Sequence, residues 1–268
     1  MIDKATFDNK KRIIIKVGSS SLTHTTTGHI SLSKLEQFVR QVADLKNSGR
    51  EVIVVTSGAI AVGVSALHLD KRPIKLDDTQ AVAAVGQASL MMLYQKLFRE
   101  YNHVVGQVLI TKDLIDHEER KQNAIRTFAS LLNYNVIPIV NENDTVATEE
   151  IEFGDNDSLS AIVAELVRGD LLILLSDIDG LYDKNPKLHP DAVLIHEITT
   201  IDDSVFAMAG DTHSKIGTGG MVTKLLAGEV ANKAGIDMII ANSVMPQVIN
   251  RIFSGEQIGT YFKAKPLV

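Results

Sequence analysis

Apolar and polar positions along the chain fall into blocks of two kinds, short continuous runs and longer stretches with helical spacing. Residues 12–18 read RIIIKVG, an apolar run rich in β-branched residues that stops at a glycine. This predicts a strand running into the polar loop SSSLTHTTTGHI. Leu35, Phe38, Val39, Val42 and Leu45 then recur at helical period. Ser33 and Glu36 have capping-box spacing and Gly49 stands where a helix would stop, so a helix is predicted between them. Residues 51–58, EVIVVTSG, repeat the unit. Their four consecutive apolar residues, bounded by turn chemistry, suit a strand buried on both faces, as in a parallel sheet. A small-residue helix is expected after Gly58, followed by helix 78–101, strand 103–110, helix 116–133 and strand 136–140.

Beyond residue 140 the text changes character: NENDTVATEEIEFGDND is polar, acidic and turn-rich, and reads as a site loop with a short hairpin through 145–153. Helix 158–168, strand 171–175, a loop from 176 to about 190, helix 221–234 and strand 237–241 complete the pattern. Alternation of this kind predicts an α/β fold with a doubly wound, mostly parallel sheet covered on both faces. Ligands in such sheets bind outside the strand C-termini. The residues that follow the apolar runs therefore carry the interest: Lys16, Gly18 and Ser19, then 56–59, 141–144, Ser176 and Asp177. All are polar or small.

Length and charge narrow the classes. The chain has 268 residues without an internal repeat, and a single domain over 1–268 is the expectation. Lys plus Arg is 27 against 33 for Asp plus Glu, a net charge of −6 that disfavours a nucleic-acid partner. The absence of cysteine rules out disulfides and thiolate metal sites and fits a reducing cytosol. The eight histidines show no zinc-helix spacing, so no transition-metal site is expected. The uncharged stretches 52–69 and 79–95 are interrupted by polar residues and read as core rather than membrane spans. An N-terminus charged from Asp3 onward lacks the apolar centre of a secretion signal.

Four places could carry chemistry. Gly217, Gly219 and Gly220 precede a predicted helix with Lys224 about one turn inside it. Bare N–H groups at a helix start can hold phosphate oxygens, although the segment is neither a GxxxxGK[ST] loop nor GxGxxG, and a flexible surface loop has the same composition. Lys16 sits in an apolar strand, where an ammonium needs an anionic partner unless it snorkels from a sheet edge. Asp155, Asn156 and Asp157 precede another helix; one could cap it, and Asp157 could instead orient the lysines. Ser57 lacks the GxSxG context of a nucleophile and reads as a hydrogen-bond donor toward a bound anion. The run DHEERK at 116–121 and the acids Glu149, Glu150 and Glu152 read as solvated faces.

Taken together, IIIKVGSS, VVTSGAIAVG, NENDTV, GDND, LLSDIDGLY and GTGGMVTK, in this order across residues 12–262, resemble the amino acid kinase family. The resemblance implies an α/β/α sandwich with a mostly parallel central sheet. It also implies transfer of the γ-phosphoryl of ATP to the side-chain carboxylate of L-glutamate, the first step of proline biosynthesis. Carried over position by position, Lys16 and Lys224 match the lysines that hold the transferring group and Asp157 the acid that orients them. Ser57, Asp144 and Asn156, with Asn141, match glutamate-binding positions. Lys16, Ser176, Asp177 and the run Thr218, Gly219, Gly220, Met221, Val222, Thr223 and Lys224 match the nucleotide site. Mg²⁺ is expected on the nucleotide phosphates rather than in a protein cage. The resemblance further implies a cytoplasmic homo-oligomer inhibited by proline. Many members of this branch append a small RNA-binding-type (PUA) domain, which is not expected within residues 1–268.

Overall fold

The computed structural model describes residues 3–146, 156–210 and 220–265. In chain order, helix α1 (Lys4–Asp8) leads into strand β1 (Arg12–Val17), the single turn α2 (Ser19–Leu22), α3 (Leu32–Asn47), β2 (Glu51–Thr56), α4 (Ala59–Ala66), α5 (Leu76–Arg99) and β3 (Val105–Ile110). A 3₁₀ turn over Lys112–Asp116 precedes α6 (Glu118–Asn133), β4 (Ile137–Glu142), α7 (Asp157–Leu166) and β5 (Leu171–Ser176). The two-residue β6 (Glu197–Ile198), α8 (Asp203–Met208), α9 (Met221–Lys233), β7 (Asp237–Asn242), α10 (Val248–Phe253) and β8 (Thr260–Phe262) follow.

All eight strands join one sheet in the order β3-β4-β2-β1-β5-β7-β8-β6. From β3 to β7 every pairing is parallel; β8 runs antiparallel to β7. The central strands are buried on both faces, which is why they read as apolar runs, interrupted in β1 by Lys16. Side chains alternate across the pleat, so Ile13, Ile15 and Val17 pack against α3 and α5, whereas Ile14 packs against α6, α7 and α9. Two helical layers thus sandwich the sheet, as the sequence pattern predicts.

Several local expectations change. The N-cap of α3 is Ser31, whose side chain accepts from the backbone N–H of Lys34, so the Ser33–Glu36 box is not used and Ser33 lies inside the helix. The cap falls earlier because the chain is tied down there: Ser31 N–H donates to the carbonyl of Leu22, next to a bridge between Thr23 and Ile30. That bridge and the turn α2 also give structure to the segment expected to be a loop. The helix expected over 116–133 forms from Glu118 to Asn133, and a 3₁₀ turn over Lys112–Asp116 precedes it. The expected hairpin at 145–153 lies, but for its first two residues, outside the described residues.

Helices α4 and α5 approach until their backbones touch. A Cβ on Gly86 would fall on the carbonyl oxygen of Ala59, and one on Gly63 on that of Val82. Only glycine permits this contact, and it fixes the start of α4 at the C-terminal edge of the sheet.

Candidate active site

Strand β1 delivers Lys16 to that edge. By the alternation that places Ile14, Lys16 points toward α7 and α9 rather than α3. Its Nζ lies 2.7 Å from Oδ1 of Asp157, and Nζ of Lys224 lies 3.1 Å from Oδ2 of the same carboxylate. Exposure is 5% for Lys16, 3% for Lys224 and 0% for Asp157. Charges so buried are tolerated only when paired in good geometry, because each costs several kcal/mol to desolvate. Two ammonium groups therefore share one carboxylate, and the three sum to one positive charge. Thr223 adds a hydroxyl 3.1 Å from Oδ2 of Asp157.

The carboxylate of Asp157 is thus taken up by contacts to the lysines rather than by a cap. Asn156 occupies the N-cap of α7 but makes no side-chain cap bond, and Asp157, the first helical residue, turns its carboxylate to the lysines. Asp155 lies outside the described residues, as do Gly217, Thr218 and Gly219. At the head of α9, Gly220 is the N-cap, and a Cβ there would meet nothing within 4 Å. Among the described residues no side chain caps the first N–H groups of α7 or α9, which begin at Asp157 and three residues before Lys224, the arrangement that favours an anion. Met221, Val222, Thr223 and Lys224 form the first turn of α9.

Ser176 and Asp177 stand at the end of β5, next to β1 in the sheet, and the Ser176 hydroxyl donates to Oδ1 of Asp177 at 3.1 Å. Beyond them, Asp179 accepts from Nδ2 of Asn242 at 2.8 Å and from the hydroxyl of Tyr182 at 2.9 Å. Asn242 and Tyr182 were not singled out by sequence, since neither polar residue interrupts a pattern.

At Asn156, the residue before Asp157, a cavity of about 330 Å³ opens. Ser57, Asn141, Asp144 and Asn156, the four residues matched to substrate binding, all line it, together with Ser19, Gly58, Arg72 and Glu142. Gly58 enters α4 with φ +105°, a conformation glycine adopts without strain, and so turns Ser57 toward the cavity. The Ser57 Oγ is buried and has no hydrogen-bond partner among the described residues. Asn156 donates from Nδ2 to the carbonyl of Thr56 at 2.5 Å and to Oδ1 of Asn141 at 2.7 Å. Asn141 accepts a second bond at Oδ1 from the N–H of Glu142 and donates from Nδ2 to Oε1 of Gln87 at 2.8 Å.

Burial pushes the Asp144 carboxyl up from 3.8 to about 6, while the nearby positive charge of Arg72 pulls it down. Arg72 and Gln87 escaped the sequence reading, and Glu142 fell within the range 141–144 without being given a role. Arg72 sits in a charged loop that looks solvated, and Gln87 in a helix whose neighbours look like core. Among the described residues no helix is long and apolar enough to cross a membrane.

Comparison with known proteins bears on the family and the fold. The model of the amino acid kinase family matches residues 11–242. The chain is 51% identical over 257 residues to the glutamate 5-kinase of Clostridium acetobutylicum, covering 96% of each chain. It is 52% identical over 261 residues to the glutamate 5-kinase of Listeria monocytogenes serotype 4a, covering 96% of this chain and 94% of that one. Among solved structures, the UMP kinase of Bacillus anthracis superposes with a TM-score of 0.66 at 18% identity, covering 95% of this chain and 96% of that one. An isopentenyl phosphate kinase gives 0.65 at 17%, covering 94% and 100%. The last two likenesses speak to the fold alone. With one family's model spanning most of the sequence, and half the residues identical to these relatives over nearly their whole length, the chain belongs to the amino acid kinase family.

Proposed function

We propose that the chain phosphorylates the side-chain carboxylate of L-glutamate with ATP, giving L-glutamyl 5-phosphate, the first step of proline biosynthesis. The observation that carries this reading is the Asn156–Asp157 dipeptide. Asp157 holds Lys16 and Lys224 together, while Asn156, its neighbour, lines a small polar cavity with Ser57 and Asp144. A phosphoryl site and an acceptor site thus adjoin. The names of the relatives support the same substrate.

The chemistry asks little of a base. A glutamate side chain with an ordinary pKa of about 4.3 is already ionised at neutral pH. A carboxylate oxygen forms a bond to the γ-phosphorus, the bond from that phosphorus to the β,γ-bridging oxygen breaks, and ADP departs with the electron pair. No proton moves. The obstacle is repulsion between two anions and charge spreading onto the transferring group, which fixed cations and N–H donors relieve. Lys16 and Lys224 would supply the cations and the first turn of α9 the donors. The donor set fits a polyphosphate, and Mg²⁺ would be held mainly by its oxygens. Ser176 and Asp177 would border the nucleotide. In the acceptor cavity, Asp144 and Asn156 would take the α-ammonium and Ser57 would donate to a carboxylate. An acetylated amine would leave Asp144 desolvated and unpaired, so acetylglutamate should be rejected. Residues 1–268 would act as one kinase domain in the cytoplasm, as a homo-oligomer under feedback by proline; these features rest on the family resemblance.

The test is to incubate the protein with Mg·ATP, hydroxylamine and, separately, glutamate, N-acetylglutamate and aspartate, trapping acyl phosphate as hydroxamate, with ADP release on UMP alongside. Product with glutamate alone is expected. Equal product with acetylglutamate would remove Asp144 from ammonium recognition, and none with glutamate would end the proposal.

A further inference from the structure

The buried amides behind the acceptor cavity form a chain whose orientation is dictated from both ends. The carbonyl of Thr56 can only accept, so the group of Asn156 that meets it must be Nδ2. The backbone N–H of Glu142 can only donate, so the atom of Asn141 that meets it must be Oδ1. Both hydrogens of Asn156 Nδ2 are then engaged, one by Thr56 and one by Asn141, and Oδ1 is the atom left to serve the cavity. Asn141 in turn presents Nδ2 away from Asn156, and the group waiting there is Oε1 of Gln87.

Gln87 has no evident structural reason to be a glutamine. It lies on α5, is 8% exposed, and its Nε2 has no hydrogen-bond partner among the described residues. A buried amide donor left unpaired is a net cost, so what this side chain contributes here is the acceptor Oε1. Among the described residues it is not part of the cavity lining, and its hydrogen-bond link to Asn156 runs through Asn141.

We propose that Gln87 is a positioning residue for substrate selection: by accepting from Asn141 it locks the Asn141 and Asn156 amides so that the cavity presents an acceptor, Asn156 Oδ1, to the amino group of the substrate. Without that lock Asn141 has a donor with nothing to meet and keeps only its bonds at Oδ1, from the Glu142 N–H and from Asn156. The backbone still fixes which way the amides face, but Asn156 Oδ1 is then held less firmly where an ammonium must bind. This inference rests on the glutamate reading above and refines it.

The experiment compares kcat/KM for L-glutamate and for glutarate, the same diacid without the amine, at saturating Mg·ATP, in the unaltered protein, Gln87→Met and Gln87→Glu. In Gln87→Met the preference for glutamate over glutarate should shrink by about 10-fold or more, through KM for glutamate, because a site built around an amine discriminates by that contact. KM for ATP and the thermal midpoint should hold. Gln87→Glu keeps an oxygen that accepts from Asn141 and should keep the preference to within about 3-fold. A methionine variant with undiminished preference would overturn the inference, as would a glutamate variant that loses as much as methionine. If the methionine variant does not fold, the glutamate variant decides alone. Failure of the unaltered protein to phosphorylate glutamate would instead overturn the underlying reading.

Discussion

Asp144 offers a perturbation with opposite effects on stability and on function. Its carboxyl titrates near 6 rather than 3.8 because burial disfavours the charged form. The sign follows: the folded state binds the proton more tightly than the unfolded chain, so the contribution of Asp144 to stability falls as pH rises from about 4 to about 6 and stays low above that. The difference corresponds to at most about 3 kcal/mol at pH 8. Asp144→Asn keeps the shape and removes the charge, and should raise the stability of the ligand-free protein at pH 8 by about 1–3 kcal/mol, with no gain at pH 4. Glutamate recognition should move the other way. Removing one partner of a desolvated charge pair costs about 2–3 kcal/mol, which raises KM for glutamate by roughly 30- to 150-fold and leaves KM for ATP alone. In the unaltered protein, affinity for glutamate should fall below about pH 6 as the carboxyl takes up its proton; in the asparagine variant that dependence should vanish. Urea denaturation at pH 4 and pH 8, with ADP release assayed between pH 5 and pH 8, measures both arms. A variant with unchanged KM and an unchanged pH profile would refute the assignment of Asp144 to the ammonium.

Other substitutions probe the rest of the site. Lys224→Ala should lower kcat by roughly 100-fold or more through lost stabilisation of the transferring group, and near-normal turnover would remove Lys224 from the mechanism. Asp157→Asn takes the shared carboxylate from two buried ammonium groups, and should cost about 3–5 kcal/mol in denaturant unfolding as well as nearly all turnover. Gly86→Ala places a methyl on the Ala59 carbonyl, and a loss of about 3 kcal/mol with a raised KM for glutamate is expected; a neutral result would show that α4 and α5 can part freely.

The legible features were those in which one residue contradicts its surroundings. Lys16 in an apolar strand demanded an anion, and Asp157 is that anion. The parallel core strands could be read because each carries three to five consecutive apolar residues, so that both faces are apolar. By contrast β6 has two residues and β8 three, too short for any period to register, and the reversal of β8 is set by its pairing with β7 rather than by its composition. The cap of α3 was misplaced because Ser33 has the capping-box partner Glu36, whereas the bond from Ser31 N–H to the Leu22 carbonyl, which fixes the earlier start, exists only in the fold. Gln87 carried no local signal: its meaning depends on Asn141, which only the fold brings within reach.

The glycine contact between α4 and α5 bears on how the acceptor site could be re-engineered. Gly86 rests on the backbone at the head of α4, and Gln87 is the next residue, so the amide's height above the cavity is gauged by main chain against main chain. Repacking aliphatic side chains around these helices should leave that gauge untouched, which makes the surrounding apolar shell a forgiving place for stabilising changes. A library seeking a new acceptor acid would do better to vary Asp144, Ser57 and Arg72, which line the opening, and to leave both glycines alone.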